Sequence, residues 1–232
     1  MKERPIIFSG EMIKAIFEDR KAQTRRVIKD LPCYDQNGYK SLIKKCHYGQ
    51  PGDRLWVKET WRVGAWAEDN REIAVDYKAG DYCRREWLRV DNDELFTQLW
   101  QQSTDDASKA LGVLERYDWK PGESPCRWRL SICMPRLAAR FILEIVNIKI
   151  ERLQDITVTE CLKEGIHPCQ PLDDFGKERI IFKGVWDSIN GQKVSWDKNP
   201  WVWVIEFKNI GDKRMSPSIV KVIKQGEGLV DK

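Results

Sequence analysis

The chain has 232 residues, of which 41% are hydrophobic and 33% charged, with 40 basic against 36 acidic side chains. That is enough apolar material for a real core, while a net charge of +4 is too small by itself to mark a nucleic-acid binder, because binding depends on where the charge sits. No run of 18 apolar residues exists, which excludes a membrane-spanning helix, and the opening MKERPIIFSGEM lacks a signal-peptide apolar region, so a cytoplasmic protein is expected.

The first predicted element is a short strand, Pro5 to Phe8, feeding a helix capped by Ser9. Glu11 suits the positive end of that helix, and Met12, Ile13, Ile16 and Phe17 make one apolar stripe. It should end near Asp19 or Arg20. A basic loop, Arg20 to Lys29, follows with five basic residues and no acid. Residues 30–49 read as a polar loop. Gly49-Gln50-Pro51-Gly52-Asp53 is a turn that sets up a strand from Arg54 to Trp61.

Residues 63–127 change character, with more acids and turn residues and one helical stretch from Asp93 to Leu114, and are read as an insertion. The longest strand signal runs from Arg140 to Leu153, apolar on both faces in its first half. A short helix follows, opened by a Thr157–Glu160 capping box and stopped by Gly165. A second one, Arg179 to Ile189, carries Ile181, Val185, Trp186 and Ile189. The last core strand is Trp201 to Lys208, and 211–232 form a lysine- and glycine-rich tail. Mixed strands, short helices and many turns predict an α+β domain: a small β-barrel over 1–62 and 128–210, helices at its mouth, and a large insertion.

Seven cysteines, with no CxxC pair and an odd count, argue for reduced thiols. His47 and His167 lie near Cys46 and Cys169, but without paired spacing they do not make a zinc site, and no metal or cofactor is expected. P-loop, GxGxxG, GxSxG and HExxH motifs are all absent.

Four features carry the candidate chemistry. The basic loop offers Arg20, Arg25 and Arg26 to grip phosphates, with a solvated basic turn as the plain alternative. Lys21, crowded by those arginines, should have a lowered pKa and serve as a base toward Thr24 three residues on. Glu164 ends a helix, against the unfavourable pole of its dipole. Six tryptophans (Trp56, Trp61, Trp128, Trp186, Trp201 and Trp203) lie on or near the strands, and a base stacked on an exposed ring gains roughly 1–3 kcal/mol. Trp56 and Lys58 on the strand after the turn are added to the candidate binding residues.

Arg20-Lys21-Ala22-Gln23-Thr24-Arg25-Arg26 after an amphipathic helix resembles the signature loop of ASCH domains in the PUA-like superfamily. The 49–57 turn and strand and Trp203-Val204-Ile205-Glu206-Phe207 fall in the expected order. Trp128-Arg129, Pro135-Arg136 and Trp186-Asp187-Ser188-Ile189-Asn190 resemble members often encoded by phages and prophages. The resemblance covers 5–62 and 128–210. Of the signature GxKxxExR, Lys21 and Arg26 match, Asp19 stands at the glycine and Thr24 at the glutamate. Threonine at that place is similar to a bacterial subgroup, the N4-acetylcytidine amidohydrolases. The resemblance implies a PUA-like barrel and a metal-independent hydrolysis of an acyl amide, with Lys21, Thr24 and Glu164 as the catalytic set. Lys21 would take a proton from Thr24 or from a water it holds, Glu164 would hand it to the leaving amine, and loop amides or Arg26 would hold the oxyanion. Two other readings remain: a non-catalytic RNA-binding module, and a phage accessory protein whose partner binds through the insertion.

Overall fold

The computed structural model describes residues 1–29, 42–79, 87–112, 119–168 and 177–211. Part of the expected polar loop, most of the expected tail, and Cys33, Cys83 and Cys169 lie outside the described residues.

The class is α+β, with two sheets. The larger one has five strands, β1 (Glu3–Ile7), β2 (Gln23–Val27), β3 (Arg54–Lys58), β7 (Ile142–Arg152) and β8 (Trp201–Asn209), in the order β1-β3-β7-β8-β2. Only β1 and β3 pair in parallel; the other neighbours are antiparallel. The strand pairings leave β1 and β2 as the two edges, so they do not by themselves close a barrel among the described residues. One side chain does cross between the edges: Arg26 Nη2 on β2 donates to the Ile7 carbonyl on β1 at 2.7 Å.

β8 is buried on both faces, and that decides the layering. Trp203, Ile205 and Phe207 enter a core with Ile6, Leu55, Val57, Leu143, and Ile13 and Ile16 of α1 (Gly10–Phe17). Val202 and Val204 point the other way, into a core with Leu153, Ile156, Cys161, Phe182 and Trp186. That second core rests on α3 (Val158–Lys163) and α4 (Lys177–Asn190). Each fully buried side chain of this kind is worth about 1.5–3 kcal/mol.

The smaller sheet, β4 (Trp61–Ala67), β5 (Glu72–Tyr77) and β6 (Trp87–Arg89), packs with α2 (Asp93–Leu111) around Trp61, Val63, Ile73, Val75, Phe96 and Leu99. The sequence reading found only the helix here; β4 is interrupted at Gly64 by a register shift between Val63 and Ala65, which breaks its alternation mid-strand. Trp61 and Arg129 exchange backbone hydrogen bonds, and Met134 and Ala138 share the same core, so this unit draws in residues on both sides of the expected 63–127 insertion. No helix of the described residues is long and apolar enough to cross a membrane.

One buried ion pair ties the two sheets together. Arg140, at the start of β7, donates Nε and Nη2 to the two oxygens of Glu59 at 2.8 and 2.7 Å, and Nη2 also to the Ala79 carbonyl at 2.6 Å. Its guanidinium lies over the rings of Phe17 and Tyr77.

Candidate functional site

Two turns and a backbone bridge bring the site together. Ser9 caps α1 as expected, its hydroxyl accepting from the Met12 amide. The helix ends at Glu18, and Asp19 takes a left-handed conformation with φ 52°. This is a conformation that glycine favours and that aspartate tolerates better than most residues. The turn releases the chain into β2, so the expected basic loop is in fact largely a strand. Register with β8, from Gln23 opposite Glu206 to Val27 opposite Val202, gives its backbone groups partners and buries its first half.

The second turn ends α3. The capping box is present: Thr157 accepts from the Glu160 amide, and the Glu160 carboxylate accepts from the Thr157 amide. At the other end the Gly165 and Ile166 amides donate back to Leu162 and Cys161, closing a Schellman turn with Gly165 at φ 97°. A methyl group on Gly165 would stand 2.7 Å from Ala15 Cβ and 3.4 Å from Lys21 Cβ. Only glycine lets this turn dock on α1 and β2. The third connection is backbone pairing of Lys21 with Glu164, supported by the Ala22 amide donating to the Lys163 carbonyl.

Lys21 and Glu164 thereby meet. Lys21 Nζ donates to Glu164 Oε2 at 2.9 Å and to the Glu164 carbonyl at 2.8 Å, and its side chain is wholly buried. Burial pushes the Lys21 ammonium below its ordinary pKa, while the Glu164 charge and hydrogen bond pull it up and Arg26 and Arg25 push it down further. The expected direction holds, but the leading cause is desolvation, and the like charges of Arg26 and Arg25 contribute least.

Arg25 completes the buried cluster. Its Nη1 donates to Glu164 Oε1 at 3.1 Å, and Nη2 sits between Glu151 and Glu160 at 2.5 and 3.1 Å. The guanidinium lies 5.9 Å from the centre of the Phe182 ring. Burial works against ionisation of Glu160, yet hydrogen bonds from Lys149 and the Thr157 amide, with the Arg25 charge, bring it down to about 2. Lys149 bridges Glu160 and Glu151 from the outer side.

Glu164 forms part of the wall of a cavity of about 200 Å³, together with Thr24, Arg25, Arg26, Tyr48 and the α4 residues Phe182 and Trp186. Thr24 is nearly inaccessible, and its hydroxyl has no hydrogen-bond partner among the described residues. Lys21 lies behind Glu164: both hydrogen bonds of its ammonium among the described residues go to Glu164, and none goes to Thr24. The order from the cavity inward is therefore Glu164 and then Lys21, with Thr24 beside them.

Comparisons with protein-family models, curated proteins and solved structures return no match.

The remaining predicted residues divide. Arg26 lines the cavity. Arg20 does not: its guanidinium is held by Glu18 and by the Gly165 carbonyl, where it braces the turn under Lys21. Arg25 is at the cavity but spent on carboxylates, so neither arginine is free to grip phosphate as expected. Trp56 and Lys58 stand elsewhere, on the face of β3 opposite Leu55 and Val57, with the ammonium 5.3 Å from the Trp56 ring centre. Lys58 donates to the Ile132 carbonyl and so holds the 131–133 turn. Of the six tryptophans weighed, Trp186 is the one that lines this cavity, with Trp61 and Trp203 in cores and Trp128 half-exposed. Sequence reading missed Glu151, Glu160 and Tyr48 as part of the site. The apolar stripe on α4 was legible, but as packing, and nothing in its period separates a cavity wall from a core face.

Proposed function

We propose that this chain is an amidohydrolase-like enzyme that removes the acyl group from a modified cytosine nucleoside of the N4-acetylcytidine type, on a PUA-like core of the ASCH kind. The mixed five-stranded sheet, with Arg26 linking its edge strands, supports such a core. One observation carries the activity: Lys21 and Glu164, 143 residues apart, form a buried hydrogen-bonded pair at a small cavity that Thr24 also lines.

The chemistry follows from that order. A lysine with a lowered pKa and a carboxylate in direct contact form a proton relay whose carboxylate end meets the ligand. Attack on the acetyl carbon by Thr24 Oγ1, or by a water that Thr24 holds, gives its proton to this relay. Collapse of the adduct breaks the carbon–nitrogen bond, and the relay returns the proton to the cytosine amine. On the Thr24 route a water then frees acetate from the ester. Tyr48, Phe182 and Trp186 supply ring surface for a planar base.

The test is release of acetate from N4-acetylcytidine by the purified protein, compared with Lys21→Ala and Thr24→Val. Thr24→Val keeps the shape of a buried side chain whose hydroxyl is unpaired, so it should melt like wild type while losing about 10²-fold or more in rate. Full activity in Thr24→Val with Lys21→Ala also active ends the proposal. The binding-only reading draws less support than its arginines first suggested, since Lys21, Arg20 and Arg25 are all engaged inside the protein.

A further inference from the structure

We propose that a second, larger cavity beside the site is a subsite for phosphate, so that the molecule acted on is a nucleotide unit, free or within a strand, and not a bare nucleoside. This rests on the reading of the smaller cavity as the place of the acylated base.

The two cavities share Met12, Arg26 and Ile189 in their walls. The smaller, at about 200 Å³, falls below the roughly 300–1,000 Å³ usual for small-molecule sites, while the larger holds about 560 Å³ and brings the pair within that range. A ligand that places a base against Thr24 and Glu164 has its next substituent at this shared wall.

The donors on that wall suit an anion. Arg26 brings its positive charge to the wall of both cavities, with Nη2 committed to the Ile7 carbonyl and Nε buried. Burial lowers the pKa of this guanidinium, while Tyr48 and the Glu164 charge act in the other direction. Lys78 lines the larger cavity, exposed, with its backbone amide fixed to the Thr60 carbonyl and its ammonium in no ion pair among the described residues. The N-terminus of α1 lines it too. Ser9 occupies the Met12 amide, while the Gly10 and Glu11 amides, in the first turn, have no acceptor within the helix. The acids on the wall are already matched, Glu59 by both arms of Arg140 and Glu11 by Lys14. A neutral sugar would leave the Lys78 ammonium and the open Gly10 and Glu11 amides without an anionic acceptor; a phosphate accepts from such donors with charge-assisted hydrogen bonds, close to the Arg26 charge.

The experiment compares cytidine 5′-monophosphate with cytidine by calorimetric titration at low salt, in wild type and in Lys78→Ala, a variant of an exposed side chain. The monophosphate is expected to bind about tenfold or more tighter than the nucleoside, with most of that ratio lost in Lys78→Ala. Equal affinity for the two, or a ratio unmoved by Lys78→Ala, overturns the subsite. Hydrolysis is followed in parallel on N4-acetylcytidine, its 5′-monophosphate and a short single-stranded RNA containing it. Faster turnover of the monophosphate assigns a terminal phosphate, and faster turnover of the RNA a phosphodiester. No turnover of any of them, with the binding ratio intact, overturns the hydrolase reading and supports the phosphate subsite.

Discussion

Lys21 Nζ reaches Glu164 twice, at Oε2 and at the backbone carbonyl, so one lysine fixes both the side chain and the main chain of the residue that caps the C-terminus of α3. The Glu164 carboxylate therefore cannot turn away without breaking its bonds to Lys21 and Arg25. Removing one partner of such a pair leaves a buried charge short of a counter-charge. Lys21→Ala is expected to lower stability by about 3–5 kcal/mol in urea titration. A double-mutant cycle with Glu164→Gln should show strong coupling, because the second change removes the charge that the first one stranded.

Lys21 also sets a pH dependence. Its pKa is lowered in the folded chain, so the neutral amine appears at lower pH than for an ordinary lysine. Hydrolysis should rise with pH and level off below 10.5, the ordinary value. Between the folded value and 10.5 the unfolded chain binds more protons, so stability should rise with pH in that window. Rates and melting temperatures across the alkaline range check both signs.

Gly165→Ala combines a left-handed backbone with a 2.7 Å clash against Ala15. The expected cost is about 2–3 kcal/mol, read as a lower urea midpoint. Because the same methyl would crowd Lys21 Cβ at 3.4 Å, the hydrolytic rate should fall as well.

Glu160 gives the acid side. Its pKa is about 2 in the fold against an ordinary 4.5, a depressed carboxylate whose contribution is present above 4.5 and lost as pH falls through about 2. Glu160→Gln should flatten the fall of melting temperature over that interval. At neutral pH it should cost stability through the capping box and the Arg25 contact.

Arg140→Lys keeps the charge between the two sheets but not the fork. One ammonium cannot reproduce two parallel bonds to Glu59 together with stacking over Phe17 and Tyr77. A loss of about 2 kcal/mol is expected in thermal or urea unfolding, the worth of one charge-assisted bond.

Local chemistry was legible in the residues themselves. The Ser9 cap, the Thr157–Glu160 box and the Gly165 stop rest on contacts within a few positions, so short-range spacing determined them; that the terminal strand is buried on both faces was left to the structure. Lys21, Thr24 and Glu164 could be singled out by residue type, helix position and resemblance. Their meeting could not. It depends on a backbone bridge spanning 143 residues and on a glycine small enough to dock against Ala15. Tertiary structure likewise decided that the basic stretch is a strand, since only pairing with β8 supplies its partners. It also turned Arg25 from a phosphate clamp into the centre of three carboxylates, because the charges of Glu151, Glu160 and Glu164 converge only once α3 packs on the sheet. Sequence order fixes which groups are available; burial and long-range packing decide which are already satisfied by one another, and so which remain for a ligand.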